Sequence, residues 1–571
     1  MAGNQVRIGE RRSYDGALCT VRYSGEVAGT SGLWLGVEWD DPSRGKHDGQ
    51  HKGVRYFACI SKSPTAASFV RPTRPVDAPQ TFVSAVQFKY ASDAADQGHV
   101  PQKQIIISGK VAEEVGFDKI RRKQAQLAEL KNVFVDGARV AYASPPADSG
   151  VTEQAISQVC PKVVELDISR NLFDQFGTVV DICSELKALE VLRVKGNRFQ
   201  NVLEDERLKS ANKVFKNVKE LAVDETLLEW DKICHIASHF PSLSSLFSSA
   251  NQLSTLAPIP PSSLTTTLVS IHMEFNEFTA ISDLAALSSI ATLRNLHLKA
   301  NKISTINTSS SPVPVFPPSL AYLDISYNAV TTWTFIDTLP ALFPGLTSLR
   351  FAHNPIYDNP DLDNTTPNTS SSTTSTNTEE AYMLLLARLP PSLKTINFST
   401  ITAADRSNAE MFYLSRIARQ LSSAPESAEA SILSQHRRWA ELCEIYGEPA
   451  VTRRKETNPN FLEARLIEVH FHLGETTKNV KIPRGFDVYA VKGIAGRLFG
   501  LSPLKMQLVW ETGEWDPVGG YDEEGGDSSD EEGEEPKGGR WVKREMELRD
   551  GPRQFGYCVD GVEVRIRVEG V

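Results

Sequence analysis

Leu293-Arg294-Asn295-Leu296-His297-Leu298-Lys299-Ala300-Asn301-Lys302-Ile303 is the clearest copy of a phrase that keeps returning through this chain. The same Leu-x-x-Leu-x-Leu-x-x-Asn-x-Ile spacing recurs at Val163 to Phe173, Leu189 to Phe199, Leu243 to Leu253, Leu268 to Phe278, Leu320 to Val330 and Leu346 to Ile356. Measured at the asparagine position, the copies stand at Asn171, Asn197, Thr226, Asn251, Asn276, Asn301, Asn328 and Asn354. The intervals are 26, 29, 25, 25, 25, 27 and 26 residues, the period of leucine-rich repeats. A run of unrelated amphipathic helices does not produce such near-equal intervals. In a short strand such as Leu296-His297-Leu298, alternate residues are buried, so Asn295, His297 and Lys299 face the other way. The asparagine can satisfy backbone groups that each tight turn leaves unpaired. One repeat cannot bury its apolar face alone, so the copies must stack into an α/β solenoid with a parallel sheet over residues 119–405.

Working outward, 571 residues imply several domains. A net charge of -10 argues against a general nucleic-acid binder. The longest apolar runs, such as Met383 to Ala387, are too short for a membrane span. Met1 to Arg12 has no apolar core, so no secretory signal is expected there. The seven cysteines, Cys19, Cys59, Cys160, Cys183, Cys234, Cys443 and Cys558, include no Cys-x-x-Cys pair. An odd, dispersed set reads as reduced thiols of a cytosolic protein, with no zinc site.

Before the repeats, Val6 to Pro72 has short apolar runs broken by glycines: Cys19 to Tyr23, Leu33 to Trp39, Tyr56 to Ile60 and Ser68 to Val70. These predict a small β-barrel. Between two of them lies Arg44-Gly45-Lys46-His47-Asp48-Gly49. Its glycines permit unusual dihedrals and close backbone approach, Lys46 offers a cation and His47 a hydrogen-bonding ring.

Leu33-Trp34-Leu35-Gly36-Val37-Glu38-Trp39-Asp40, Gly45 to Gly49, Gly53 and Tyr56-Phe57-Ala58-Cys59 together resemble a cytoskeleton-associated-protein glycine-rich (CAP-Gly) domain, here spanning 5–75. Members of that family read the C-terminal Glu-Glu-Tyr/Phe tail of α-tubulin. The usual signature is Gly-Lys-Asn-Asp-Gly, and this chain has His47 in the asparagine position. The resemblance implies a tail-binding set of Trp34, Gly45, Lys46, His47, Asp48, Gly49 and Phe57. In it, Lys46 and His47 engage the carboxylates, while Trp34 and Phe57 wall the terminal aromatic.

Residues 76–118 read as a linker with one strand near Ile105 to Ser108, and Phe117 to Leu130 as a capping helix ahead of a degenerate first repeat. Thr226 stands in the asparagine position, so its coil should be less regular. Asn364 to Thr378, nearly all Ser, Thr and Asn, reads as a disordered insert. The expected concave face carries Glu165, Asp167, Arg193, Lys195, Glu220, Asp224, His272, Glu274, His297, Lys299, Asp324 and Arg350, with no spacing of a catalytic dyad or metal site. Residues 406–450 turn helical and are expected to cap the solenoid.

The last part, 462–571, alternates as strands at Leu466 to Phe471, Asn479 to Pro483, Met506 to Trp510 and Val562 to Val568, with helical spacing from Asp487 to Gly500. This order resembles a ubiquitin-like β-grasp. An acidic disordered insert is expected over 521–540, where Tyr521 to Glu535 holds nine acidic residues in fifteen. The Glu569-Gly570-Val571 end lacks the Gly-Gly tail used in conjugation.

CAP-Gly, leucine-rich repeats and a ubiquitin-like part, in this order, resemble the tubulin-folding cofactor E family. The resemblance implies a cytoplasmic, cytoskeleton-associated and non-enzymatic factor without a cofactor. It would bind α-tubulin during heterodimer assembly and dissociation, together with other tubulin-folding cofactors and with the proteasome as a candidate partner of the ubiquitin-like part. A microtubule-associated adaptor linking tubulin to the ubiquitin-proteasome system is the alternative, although such adaptors carry long coiled coils and no sustained heptads occur here. A hydrolase would need a nucleophile signature that the chain does not show.

Overall fold

Leu166, Leu192, Leu221, Leu246, Ile271, Leu296, Leu323, Leu349 and Ile396 pair side by side in one unbroken parallel register. All nine are fully buried. They form the spine of an eleven-stranded sheet in the computed structural model, which describes residues 6–91, 106–107, 110–111, 126–147, 150–307, 313–360, 376–451, 465–517 and 541–570. Each strand is about three residues long. The strand expected at Leu296 to Leu298 is Asn295–His297, one residue earlier, because the chain has already turned at Ala300. Unequal repeat lengths are absorbed away from the sheet. The 29-residue interval, for instance, holds the short helical turns Val202–Glu204, Glu206–Lys209 and Ala211–Lys213. On that side the helices Phe176–Ser184, Trp230–Ser238 and Trp333–Leu342 cover the core, and stacked Phe215 and Phe240 rings (4.0 Å) join adjacent coils.

The asparagines link coil to coil. Asn276 Nδ2 donates to Ser248 O and Met273 O at 3.1 Å each, while its Oδ1 accepts from Asn251 N and Leu253 N at 3.0 and 3.1 Å. Asn171, Asn197, Asn251, Asn328 and Asn354 make the same kind of bonds. Just before each ladder position the chain is left-handed. Arg170, Gly196, Glu225, Ala250, Phe275, Ala300, Tyr327 and His353 all have φ between 50° and 65°. Such a turn cannot continue strand pairing, which is why a buried amide must satisfy the backbone there. The coil at Thr226 is less regular in its backbone, with Leu227 left-handed (φ 58°) in addition to Glu225, but it keeps its place in the sheet. The Thr226 hydroxyl donates to Val223 O at 2.8 Å, and the strand register passes through undisturbed.

At the N-terminal end of the same unit, strands β1 (Arg11–Tyr14), β2 (Ala17–Glu26), β3 (Leu33–Trp39) and β6 (Ala67–Val70) form an antiparallel sheet in the order β1-β2-β3-β6. Its core is Tyr14, Cys19, Val21, Leu35, Val37, Trp39 and Val70. A short hairpin pairs β4 (Gln50–His51) with β5 (Val54–Arg55). The strand expected at Tyr56 to Ile60 is irregular, because the chain leaves the hairpin to bring the Phe57 ring under Gly36 and Gly49.

Part of the expected linker is also folded. Gln80–Thr81 pairs in parallel with Val140–Tyr142, and Thr81 caps a helix, Phe82–Tyr90, that buries Phe82, Val83, Ala85 and Val86. The short pair Ile106–Ile107 and Lys110–Val111 meets the expected strand near Ile105 to Ser108. Most of the expected capping helix at Phe117 to Leu130 and the two expected inserts lie outside the described residues; of their ends, Leu127–Glu129 is a 3-10 turn and residues from Thr376 begin the helix Thr376–Arg388.

A second unit runs from Ala403. It begins with helices Ala403–Ser423, Glu429–Leu433 and Trp439–Tyr446, tied by the buried Arg438–Glu410 pair at 2.8 Å. A five-stranded sheet follows, with spatial order Thr476–Pro483, Leu466–Leu473, Glu563–Gly570, Met506–Pro517, Trp541–Glu547. Only the pair Leu466–Leu473 and Glu563–Gly570 is parallel. Helix Val488–Phe499 packs Val488, Val491 and Ala495 into its core. Asp487 caps the helix start and a left-handed Gly500 ends it. Strand Trp541–Glu547 was not expected from sequence. No helix among the described residues is long and apolar enough to cross a membrane.

The ladder makes an ordering testable. Asn276→Ala strands two buried N–H groups and Ser248 O, whereas Asn301, whose Oδ1 has no hydrogen-bond partner among the described residues, shares its two acceptor carbonyls with Asn276 and Asn328 and strands neither when removed. Asn276→Ala is expected to destabilise the solenoid more than Asn301→Ala does, by on the order of 1–3 kcal/mol. Urea unfolding of the two variants with equal midpoints would rule this out.

Candidate functional site: a groove on the N-terminal domain and the seam that holds it

The loop carrying Gly45 to Gly49 is fixed by backbone bonds to the neighbouring strand β6. Lys46 N donates to Ala67 O (2.7 Å), and Ala67 N donates to His47 O (2.7 Å). Gly45 is forced by space, since a Cβ there would stand 1.8 Å from Thr65 O. At Gly49, φ of 94° and a Cβ clash of 2.1 Å with Phe57 O both exclude a side chain.

These contacts aim the polar groups. His47 Nδ1 accepts from Gly49 N at 3.0 Å, so the neutral ring carries its proton on Nε2, available to a ligand. Burial, with the neighbouring His51, pushes the His47 pKa down and keeps the ring neutral at physiological pH. The ring leans on Phe69 at 4.9 Å and lies near Phe57 and His51, both at 6.3 Å. Lys46 is exposed, and its ammonium makes no ion pair among the described residues. Asp48 instead pairs with Arg55 at 2.8 Å and accepts from Gln50 N, so its carboxylate shapes the hairpin.

Trp34 and Gly36 point to the same face of β3, opposite the Leu35 and Val37 core. The Phe57 ring occupies the space over Gly36, where a Cβ would be 2.2 Å from it. Phe57 is therefore mostly core, and it lies on the face of β3 that also carries Trp34. Trp34 is half-exposed, holds Thr30 Oγ1 through its indole N–H (2.8 Å) and is covered by the Arg71 guanidinium at 3.6 Å. Sequence reasoning missed Phe69, Tyr23 and Tyr56, which complete the aromatic cluster behind the loop. Their place on the groove face of β2, β6 and the hairpin was the available signal.

Residues 3–75 match the CAP-Gly domain family. Tubulin-specific chaperone E of Bos taurus is 28% identical over 520 residues, covering 88% of this chain and 92% of the relative. The Homo sapiens protein of that name is 27% identical over 524 residues, with the same coverage. The chain resembles tubulin-specific chaperone E along most of its length. Among solved structures, the APL1 leucine-rich repeat domain aligns over 41% of this chain and 51% of its own, with 15% identity and a TM-score of 0.25.

The CAP-Gly domain does not hang from a loose tether. Arg11, with no exposed side-chain surface, donates to both Asp40 oxygens at 2.6 Å and to two solenoid carbonyls, Asn171 O at 3.2 Å and Gly196 O at 3.5 Å. From the repeats, Arg198 approaches Asp40 at 3.8 Å while donating to Glu225 O at 2.6 Å. Arg7 pairs with Asp174, and Lys62 with Glu277. Burial alone would raise the Asp40 pKa, but Arg11 and Arg198 outweigh it and hold the carboxyl below its ordinary value. A group depressed in the folded state adds stability above its unfolded pKa near 3.9 and loses it as pH falls further. The seam should therefore hold from neutral pH down to about 4 and open below.

Arg11→Met leaves Asp40 beside the repeats with only the more distant Arg198. Removing one partner of a buried pair costs about 3–5 kcal/mol, and the lower end applies because a fifth of the Asp40 side chain meets solvent. Hydrogen exchange at Asn171 and Gly196 to Arg198 is expected to accelerate in this variant. Unchanged exchange would show that the seam does not depend on Arg11.

Proposed function

We propose that this chain is a tubulin-folding cofactor, a binding protein without chemistry that acts on α-tubulin in assembly and dissociation of the tubulin heterodimer. The observation that carries this reading is the whole-length likeness to relatives named tubulin-specific chaperone E. The groove geometry supports a first contact with the acidic-aromatic α-tubulin tail. Lys46 supplies a cation without an ion pair among the described residues, His47 Nε2–H a neutral donor, and Trp34 and Phe57 an apolar seat. Gly45, Asp48 and Gly49 hold that arrangement and do not touch the ligand themselves.

The repeats then meet the body of tubulin. Because the seam fixes the CAP-Gly domain on the loops of the early repeats, tail capture and body contact are set at one geometry. That favours simultaneous engagement over the flexible arrangement expected of a linker. In the second unit, the sheet order with one parallel central pair and a single crossing helix supports a ubiquitin-like reading. Such a module would dock other tubulin-folding cofactors or the proteasome. The chain works in the cytoplasm, in keeping with seven free cysteines, of which Cys19, Cys160 and Cys234 are pushed by burial up to about 12 and stay protonated.

Lys46→Ala is expected to weaken binding of a Glu-Glu-Tyr peptide by roughly ten- to a hundredfold, the worth of one charge-assisted contact, without altering the fold. Equal affinity of variant and parent in a calorimetric titration would remove the tail from this groove. Adding native heterodimer and following free α- and β-tubulin by size separation tests the wider reading. A full chain that, even with partner cofactors present, neither binds nor separates the dimer would overturn it.

A further inference from the structure

The concave face of the solenoid carries a cluster that neither the groove nor the asparagine ladder uses. His272 and Glu274 lie two residues apart and leave the sheet on the same side. His297 is the direct cross-strand partner of His272 in the parallel register and brings a second imidazole from the next repeat. One donor atom from each of the three lies within 4.8 Å of the others. His272 Nδ1 is 3.2 Å from Glu274 Oε1, and the two imidazoles stack with centroids 3.9 Å apart.

The surroundings crowd these groups together. Phe247 stacks on His272 at 4.0 Å and Tyr322 lies tilted against His297 at 4.9 Å, while the two imidazole planes are nearly parallel and must swing apart for their nitrogens to converge on one ion. Ser249 Oγ donates to Glu274 Oε2 at 2.6 Å, and Ser270 Oγ bonds His272 Nε2 at 3.2 Å. Nearby cations are occupied elsewhere. Lys299 lies over the Tyr327 ring at 4.9 Å, Arg350 pairs with Asp324 at 3.0 Å, and Lys195 with Asp224 at 2.9 Å. Burial, with His272 beside it, pushes the His297 pKa down to about 4, which leaves a neutral imidazole. Burial alone would raise the Glu274 pKa, yet bonds from His272 and Ser249 hold it below its ordinary value.

We propose that His272, Glu274 and His297 form a binding site for a divalent transition-metal ion, with Zn²⁺ the best fit. Two imidazole nitrogens and one carboxylate oxygen make a three-ligand set that leaves a fourth position open towards the concave side. Ca²⁺ and Mg²⁺ require oxygen-rich shells that this cluster does not offer. The ion takes the place of the proton between His272 Nδ1 and Glu274 Oε1, and the ring stays neutral by carrying its proton on Nε2, where it is donated to Ser270 Oγ. Ser249 and Ser270 act as positioning residues on the ligands. Spacing along the chain hides the site because its third ligand comes from the next repeat.

The test is a titration of the metal-stripped full chain with Zn²⁺ by calorimetry, with zinc content counted after dialysis. One bound equivalent is expected, lost in His297→Phe, which keeps a ring in the stack, and in Glu274→Gln. Ser249→Ala should keep the equivalent but bind about ten- to a hundredfold more weakly, the usual effect of removing a ligand's support. His235→Phe, which breaks another close histidine pair (His235 and His239, 5.1 Å), should leave the equivalent intact. Zn²⁺ should raise the unfolding temperature of the parent and not of Glu274→Gln. A parent that retains no zinc overturns the proposal. So does a Glu274→Gln variant that binds like the parent, and this variant decides the matter should His297→Phe fail to fold.

Discussion

The architecture of the solenoid depends on one recurring constraint: each coil must reverse direction immediately after a three-residue strand. A left-handed residue makes that turn and removes the following backbone groups from the sheet ladder. A buried side chain with both a donor and an acceptor has to replace the lost partners, and an asparagine carboxamide does so in both directions at once. It donates to carbonyls of its own coil and the previous one, and its oxygen receives the amide of the neighbouring turn. Where threonine stands in, the hydroxyl donates to the same carbonyl of its own coil and bonds the next asparagine at 3.0 Å, so the stack passes through. The leucine spine contributes burial, but it sets no turn. Register follows from the amides.

On this rigid stack the two binding surfaces become parts of one body. The Arg11–Asp40–Arg198 seam is built mainly from backbone acceptors, so the solenoid offers carbonyl dipoles to a cation and need not bury a second full charge. The loops used there belong to the same left-handed turns that the ladder supports. The aromatic stack on the concave face, in turn, exists because strand register places residue after residue at one spacing. Seam, stack and groove all inherit their positions from the coil geometry.

Much of this was legible in the sequence because it is periodic or local. The repeat interval, the leucine column, the Gly45 to Gly49 loop and the alternation at Leu466 to Phe471 each announce themselves within a few residues. What the sequence hid is what depends on residues brought together from far apart. Arg11 looks like any surface arginine until the repeats close over it. Trp541–Glu547 follows a long acidic stretch and pairs back across it with Met506–Pro517, a separation that no local pattern reports. Phe57 reads as part of a strand, and only the absence of a side chain at Gly36 explains why its ring turns inward. The left-handed turns fall on Glu225, Ala250, Phe275 and Tyr327, residue types with no preference for them, so composition gives no hint of their backbone.

The seam also has a consequence for how the chain is made. The carbonyls that receive Arg11 stand 160 and 185 positions downstream of it. At ordinary rates of synthesis, on the order of ten to forty seconds pass between the emergence of Arg11 and that of Gly196. The small sheet around Tyr14 and Trp39 is complete within the first 75 residues and can form during that interval, with Arg11 and Asp40 paired at a wet surface. Docking must wait until the coils ending at Asn171 and Gly196 have left the ribosome and stacked. A nascent chain halted before Gly196 therefore carries a formed groove with no fixed bearing, able to hold a tail but with nothing to set it against.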